Sequence, residues 1–203
     1  MMIKLPLPEL TTEHLILRKL SLRDIADVFE YAKSPLVGPN AGWAPHENIK
    51  ETEDFIKYAI KKREFGQPGI YAIIHRAHNK MIGTIEVHSY KEYKGEIGFV
   101  LNPRYWGKGL IVEAAMAVIV YAFEVLKLER LQYGYFLFNK RSERVSQKLG
   151  FQFEGVLRSK FQNYDEKVID EAVASIIKSD YTNGLLPWLN DFKKTLKVDY
   201  ESN

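Results

Sequence analysis

The residues best suited to chemistry form one short stretch, Asn102-Pro103-Arg104-Tyr105-Trp106-Gly107-Lys108-Gly109. Two glycines one residue apart, ahead of an apolar run, leave the first backbone N–H groups of a helix uncovered by side chains, with the positive end of the helix dipole behind them. Such an arrangement can cradle phosphate. It is equally compatible with an ordinary strand-to-helix turn whose lysine faces solvent. Two nucleotide motifs fail on these residues. A dinucleotide fingerprint needs a third glycine where Val112 stands, and a P-loop needs Ser or Thr where Gly109 stands. His75 and His78 flank a turn with no third ligand in sight, which argues against a metal. The chain has no cysteine, so disulfides, thiolate metal sites and a thiol nucleophile are excluded. It also lacks Gly-x-Ser-x-Gly, the usual serine-hydrolase elbow.

The elements that must position the stretch are legible on both sides. Glu96 to Leu101 is rich in strand formers and stops at Asn102-Pro103. Leu110 to Val125 carries only Glu113 and Glu124 as charges and reads as a mostly buried helix. Earlier, Leu15 to Leu20 reads as a strand, and Ser21 caps a helix with Leu22, Ile25, Phe29 and Ala32 as its apolar stripe. Residues 34–45 read as a long irregular loop carrying Trp43. Asn48 and Glu51 resemble a capping box for a helix with the stripe Ile49, Ile56 and Ile60. Ile70 to His75 and Met81 to Val87 form a hairpin. Arg130 to Phe138 alternates as a strand, Lys140 to Leu149 is a short helix closed by Gly150, and two strands follow over Phe151 to Leu157 and Val168 to Ile177. The tail holds a short helix from Pro187 to about Lys197.

At 203 residues the chain suits one domain, with a core of about 10–180 and a C-terminal extension over 181–203. Its net charge of +3 is too small and too dispersed to argue for nucleic acid. No apolar run reaches the ~20 residues of a membrane span, and no signal-like layout opens the chain, so a cytoplasmic protein is the default expectation. Nothing in the sequence decides between monomer and homodimer.

Arg-x-x-Gly-x-Gly directly after a strand resembles the acyl-CoA pyrophosphate loop of the GNAT superfamily of N-acetyltransferases. Asn139-x-x-Ser142, followed by Lys148 and Gly150-Phe151, is similar to the second cofactor motif of that superfamily. Leu15-Ile16-Leu17-Arg18 and Gly42-Trp43-Ala44-Pro45-His46 resemble the RimJ/RimL branch, associated with ribosomal-protein N-termini. The likeness spans about Leu10 to Asp180. It implies an α+β fold, mixed α/β in its layers, with a central mixed twisted sheet flanked by helices and splayed fourth and fifth strands. It also implies acetyl-CoA as cosubstrate, no metal, and a primary amine as partner, with a protein N-terminus as first choice. A small amine such as a polyamine or aminoglycoside, or a non-catalytic CoA-binding module, are the rivals.

Carried across, the resemblance puts the pyrophosphate on the backbone from Arg104 through Trp106, Gly107, Lys108 and Gly109 to Leu110. The pantetheine arm lies along the edge of Phe99, Val100 and Leu101, with Asn139 on the facing side. Gly98 fits either a close backbone approach or a packing need. Glu96 is the first candidate for general base and Glu86 the second, although a carboxylate at a strand end can simply be solvated. An α-amino group costs only ~1 kcal/mol to neutralise at pH 7, against ~4–5 kcal/mol for a lysine amine, so an N-terminal acceptor needs only a modest base. Many superfamily members carry a tyrosine where this chain has Ser146. Ser142 is then the alternative donor to the leaving sulfur, or else a plain helix cap. Trp43, His46, Glu86 and Tyr90 are the candidate acceptor-pocket residues; Trp43 can also be a loop anchor, and His46 a surface residue.

Overall fold

The computed structural model describes residues 5–200. In chain order its elements are β1 (Glu9–Thr11), β2 (Leu15–Lys19), α1 (Ile25–Ala32), α2 (Gly38–Ala41), α3 (Ile49–Lys62), β3 (Ile70–His75), β4 (Lys80–Lys91) and β5 (Lys94–Leu101). There follow α4 (Leu110–Glu124), β6 (Arg130–Phe136), α5 (Lys140–Leu149), β7 (Gln152–Gln162), β8 (Val168–Ile177), α6 (Lys178–Thr182), α7 (Leu189–Thr195) and β9 (Lys197–Asp199). The strands make one mixed sheet in the order β7-β8-β6-β5-β4-β3-β2-β1-β9. Only β5 and β6 run parallel. The fold is therefore α+β, as the sequence predicts. No helix of the described residues is long and apolar enough to cross a membrane.

Strand alternation sorts side chains onto two cores. Leu15, Leu17, Tyr71, Ile73, Ile82 and Ile85 face α4, whose Ala114, Ala115, Val118 and Ile119 are fully buried. Ile70, Ala72, Ile74 and Met81 face α1 and α3 on the other side. Because β3 is covered on both faces, its sequence Ile-Tyr-Ala-Ile-Ile is a continuous apolar run.

Several sequence expectations need correction. The stripe of α1 is Val28, Tyr31 and Ala32, while Leu22 is exposed, because residues 22–24 form a separate 3-10 turn that shifts the helical phase. That turn is pinned by Asp24, which is buried, accepts two hydrogen bonds from the Arg18 guanidinium and also accepts Ser21 N–H. On α3 the buried positions are Thr52, Ile56 and Ala59, and Ile49 and Ile60 face outward. The long loop contains one helical turn, α2. The sheet gains β1 and β9 at one edge. β9 pairs Lys197, Val198 and Asp199 with β1, and three residues with one apolar member carry no readable period. The predicted capping role of Asn48 holds: its side chain accepts the N–H groups of Lys50 and Glu51. Glu51 in return accepts the N–H of Glu47.

Candidate acetyl-transfer site

β5 and β6 pair only from Lys94–Ile97 against Arg130–Tyr133. Beyond Ile97 they diverge, the splay expected of the fourth and fifth predicted strands. A cavity of about 560 Å³ opens in the gap, lined by Phe99, Val100 and Leu101 on one side and by Tyr133, Gly134 and Tyr135 on the other. Phe99 and Tyr133 meet edge-to-face across it, 5.7 Å between ring centres. A strand that loses its neighbour keeps backbone groups free for an extended ligand.

The glycine turn closes one end of this cavity. Asn102, buried, accepts Arg104 N–H and donates to Glu30, which fixes the chain as it leaves β5. The Trp106 indole N–H donates to the Leu101 carbonyl at 2.8 Å. Gly107 and Gly109 have φ of +77° and +78°, in the left-handed region, and a Cβ at either would meet nothing within 4 Å. Both glycines line the cavity. Gly109 is the N-cap of the fifteen-residue α4, and no side chain caps that helix. The first amides of α4 are thus uncovered toward the cavity, the physical requirement for holding an anion.

The side chains of Arg104 and Lys108, whose backbone is what the resemblance puts under the pyrophosphate, do not line the cavity. Arg104 is largely exposed and reaches Glu30 at 3.3 Å, and Lys108 lies over the Tyr105 ring. The cations that line the cavity come instead from α5: Arg141, Arg144 and Lys148. Arg141 stacks over Trp106 at 4.5 Å from the ring centre. Their spacing of three and four residues puts them on one helix face, a signal present in the sequence but hidden there by the motif residues between them.

In the second motif, Asn139 accepts the N–H of Ser142 and so caps α5, while its amide N–H donates to the Asn40 carbonyl, tying α2 to the end of β6. Ser142 Oγ lies 2.9 Å from the Tyr133 hydroxyl, and the Tyr133 hydroxyl also lies 3.1 Å from the Ser142 carbonyl oxygen. Burial pushes the Tyr133 phenol up, so it stays a neutral donor. Ser146 is buried beside Leu149 and does not line the cavity. A tyrosine does therefore stand beside Ser142, supplied by β6. The sequence reading missed it because Tyr133 looks like one more inward residue of an alternating strand.

At the far end lies Glu96, whose carboxylate accepts from Gln132 at 3.0 Å. Glu171 of β8 faces it: a Cβ added at Gly134 would lie 2.7 Å from Glu96 Oε1 and 2.9 Å from Glu171 Oε1. Burial and the neighbouring Glu96 charge raise the Glu171 pKa. His88 covers Gly98, where an added Cβ would approach the imidazole to 2.9 Å, and Gly98 itself lines the cavity. Leu36, Val37 and Ala41 with Phe136 and Phe161 complete the wall. Glu171, Gln132, Gly134 and Phe161 were not foreseen from the sequence, since long-range strand pairing alone brings them here.

The four expected acceptor-pocket residues do not line the cavity. Trp43 packs on Gly38, where a Cβ would come within 2.5 Å of the Trp43 carbonyl. His46 Nδ1 sits 2.7 Å from Thr52 Oγ1, and burial lowers the His46 pKa. Glu86 is paired with Lys62 at 2.9 Å. Tyr90 packs against the α4-side core. Each has a structural partner that turns it away from the gap.

Comparison with known proteins agrees with this architecture. The acetyltransferase (GNAT) domain family matches residues 14–152. The N-acetyltransferase p20 of Bacillus licheniformis, itself uncharacterised, is 30% identical over 174 residues, covering 85% of this chain and 97% of p20. YdaF of Bacillus subtilis (strain 168), provisionally named a ribosomal N-acetyltransferase, is 35% identical over 80 residues, 38% of this chain and 44% of YdaF. The crystal structure of a GNAT-family acetyltransferase from Bacillus anthracis matches with a TM-score of 0.74 at 28% identity, covering 83% of this chain and 98% of that one. The chain belongs to the GNAT acetyltransferase family and is an acetyl-CoA-dependent N-acetyltransferase.

Proposed function

We propose that this cytoplasmic enzyme transfers an acetyl group from acetyl-CoA to a primary amine by direct attack, with a protein N-terminal α-amine as the acceptor. The observation that carries the reading is the splayed gap itself, with the glycine turn at Gly107 and Gly109 and the uncapped start of α4 at one end and a held carboxylate, Glu96, at the other. In this reading the pyrophosphate rests on the backbone amides from Arg104 to Leu110, with the side chains of Arg141 and Arg144 beside it. The pantetheine arm follows the free edge of Phe99, Val100 and Leu101, opposite Asn139. The thioester brings the activated acyl group, and the protein positions the amine and takes its proton. Glu96 is the proton acceptor, and Ser142, held by Tyr133, orients the sulfur. Similarity to YdaF supports the ribosomal-protein N-terminus as acceptor.

The experiment is thiol release from acetyl-CoA by the purified protein with a panel of peptide N-termini and small amines, paired with calorimetric titration of CoA. Turnover with peptide N-termini is expected. A double change Gly107→Val and Gly109→Val should abolish CoA binding while the circular dichroism spectrum is retained, because side chains would then stand over the amides in a backbone region that β-branched residues avoid. Retained CoA binding in that variant would remove the turn from the site.

A further inference from the structure

We propose that Glu171 is the second carboxylate of the acceptor subsite, and that with Glu96 it selects an acceptor arriving as a primary ammonium on an apolar stem. The inference deepens the acetyl-transfer reading and rests on it. Three features carry it. The two carboxylates come from strands on opposite sides of β6 and converge over Gly134, where the missing side chain leaves room between them. Both line the same cavity as the backbone of β5 and the cofactor turn. Among the described residues, neither makes an ion pair and no side chain donates a hydrogen bond to Glu171; Glu96 has only the neutral amide of Gln132.

Two like charges brought close repel, and the burial of Glu171 beside Glu96 disfavours the ionised form of Glu171. The titratable groups facing Glu171 are Glu96 from β5 and, more weakly, Lys160 from β7, with His88 of β4 on the same cavity wall. Arg130, the nearest strong cation on β6, is committed to Glu154 at 2.5 and 2.6 Å. Beyond the weaker pull of Lys160, the compensating positive charge is then the ligand's to supply. Around the pair the wall is apolar: Phe136 and Phe161 lie 5.1 Å apart between ring centres, and Leu36 stands half exposed at the rim. A cationic head with an apolar body fits this combination, whereas a polyamine would need further anions along its length.

The chemistry balances. The bound ammonium gives one N–H proton to the carboxylate pair, which frees the nitrogen lone pair. That pair attacks the thioester carbon, the C–N bond forms, the C–S bond breaks, and the sulfur leaves with the bonding electrons. The remaining excess proton on the new amide nitrogen passes to the thiolate, giving neutral amide and thiol.

The test titrates CoA-loaded protein with phenethylamine and with its neutral counterpart 2-phenylethanol, alongside a Leu-Ala-Ala amide peptide that separates a free amine from a chain N-terminus. Wild type should bind both amines and discriminate against the alcohol. Glu171→Gln should weaken amine binding about tenfold or more, the size of a lost charge-assisted contact, and leave 2-phenylethanol and CoA unchanged. Amine affinity of wild type should rise with pH as Glu171 ionises, and the variant should lose that rise. Glu171→Asp, which keeps the charge, should retain most of the discrimination and shows that a loss in the Gln variant is not misfolding. Equal amine affinity in Glu171→Gln and wild type, or no preference for amine over alcohol, would overturn the proposal. Failure of wild type to bind CoA would instead overturn the cosubstrate assignment.

Discussion

Glu96 is held from one side by Gln132, a neutral amide that donates to the carboxylate and fixes which way it points. The consequence for rate depends on the acceptor. An α-amine is mostly protonated at pH 6.5 and mostly neutral at pH 9, so a base matters at the first and much less at the second. Glu96→Gln should therefore lower kcat/KM for a peptide N-terminus by about 100-fold at pH 6.5 and by far less at pH 9, within the usual range for a general base. A loss that is the same at both values would assign Glu96 to structure alone. The pairing of Ser142 with Tyr133 works at the same scale. A phenol that burial keeps protonated can donate to the serine, which in the proposed reading leaves the serine proton for the sulfur.

At the scale of elements, the turn and helices of the proposed cofactor half were largely legible because they are contiguous. A strand, a Gly-x-Gly turn and a helix follow one another from Glu96 to Glu124, and Asn139 and Gly150 bracket α5 where their cap chemistry puts them. The proposed acceptor half was not legible, because it is assembled from β6, β7 and β8 by pairing across dozens of residues. Trp43 and His46 stand off the cavity for a related reason. Their aromatic character suggested a pocket, yet their neighbours Gly38 and Thr52 claim them, and they stiffen the segment that carries Leu36, Asn40 and Ala41 to the cavity. This anchor has a pH signature. Burial depresses the folded-state pKa of His46 below its unfolded value, so the fold favours the neutral ring. The contribution is complete above the ordinary histidine range and is lost as pH falls through ~6.5, where the unfolded chain begins to gain a proton that the folded chain resists. The melting temperature of wild type should therefore fall more between pH 7.5 and pH 5.5 than that of His46→Gln. Parallel pH dependence in the two proteins would place the ring outside the anchor.

Across the whole molecule, the sheet is continuous except where function needs it broken. From β2 to β4 every strand is paired along both neighbours and packed between α4 on one face and α1 and α3 on the other. Past Ile97 the pairing between β5 and β6 stops, while β6 stays paired with β8 along its full length. The gap is thus held open by two well-supported half-sheets, and a ligand entering it meets a rigid scaffold with a local deficit of hydrogen bonds. Binding should then be read in the backbone. Hydrogen exchange with and without CoA should slow at Phe99, Val100 and Leu101 and at Gly107 to Val112, where amides lose access to solvent. It should leave β2 and β3, already protected on both faces, within error of the free protein. Protection spread evenly through β2 and β3 would mean that the half-sheets close on the ligand as moving bodies, and the preformed gap would lose its standing as the feature that defines the site.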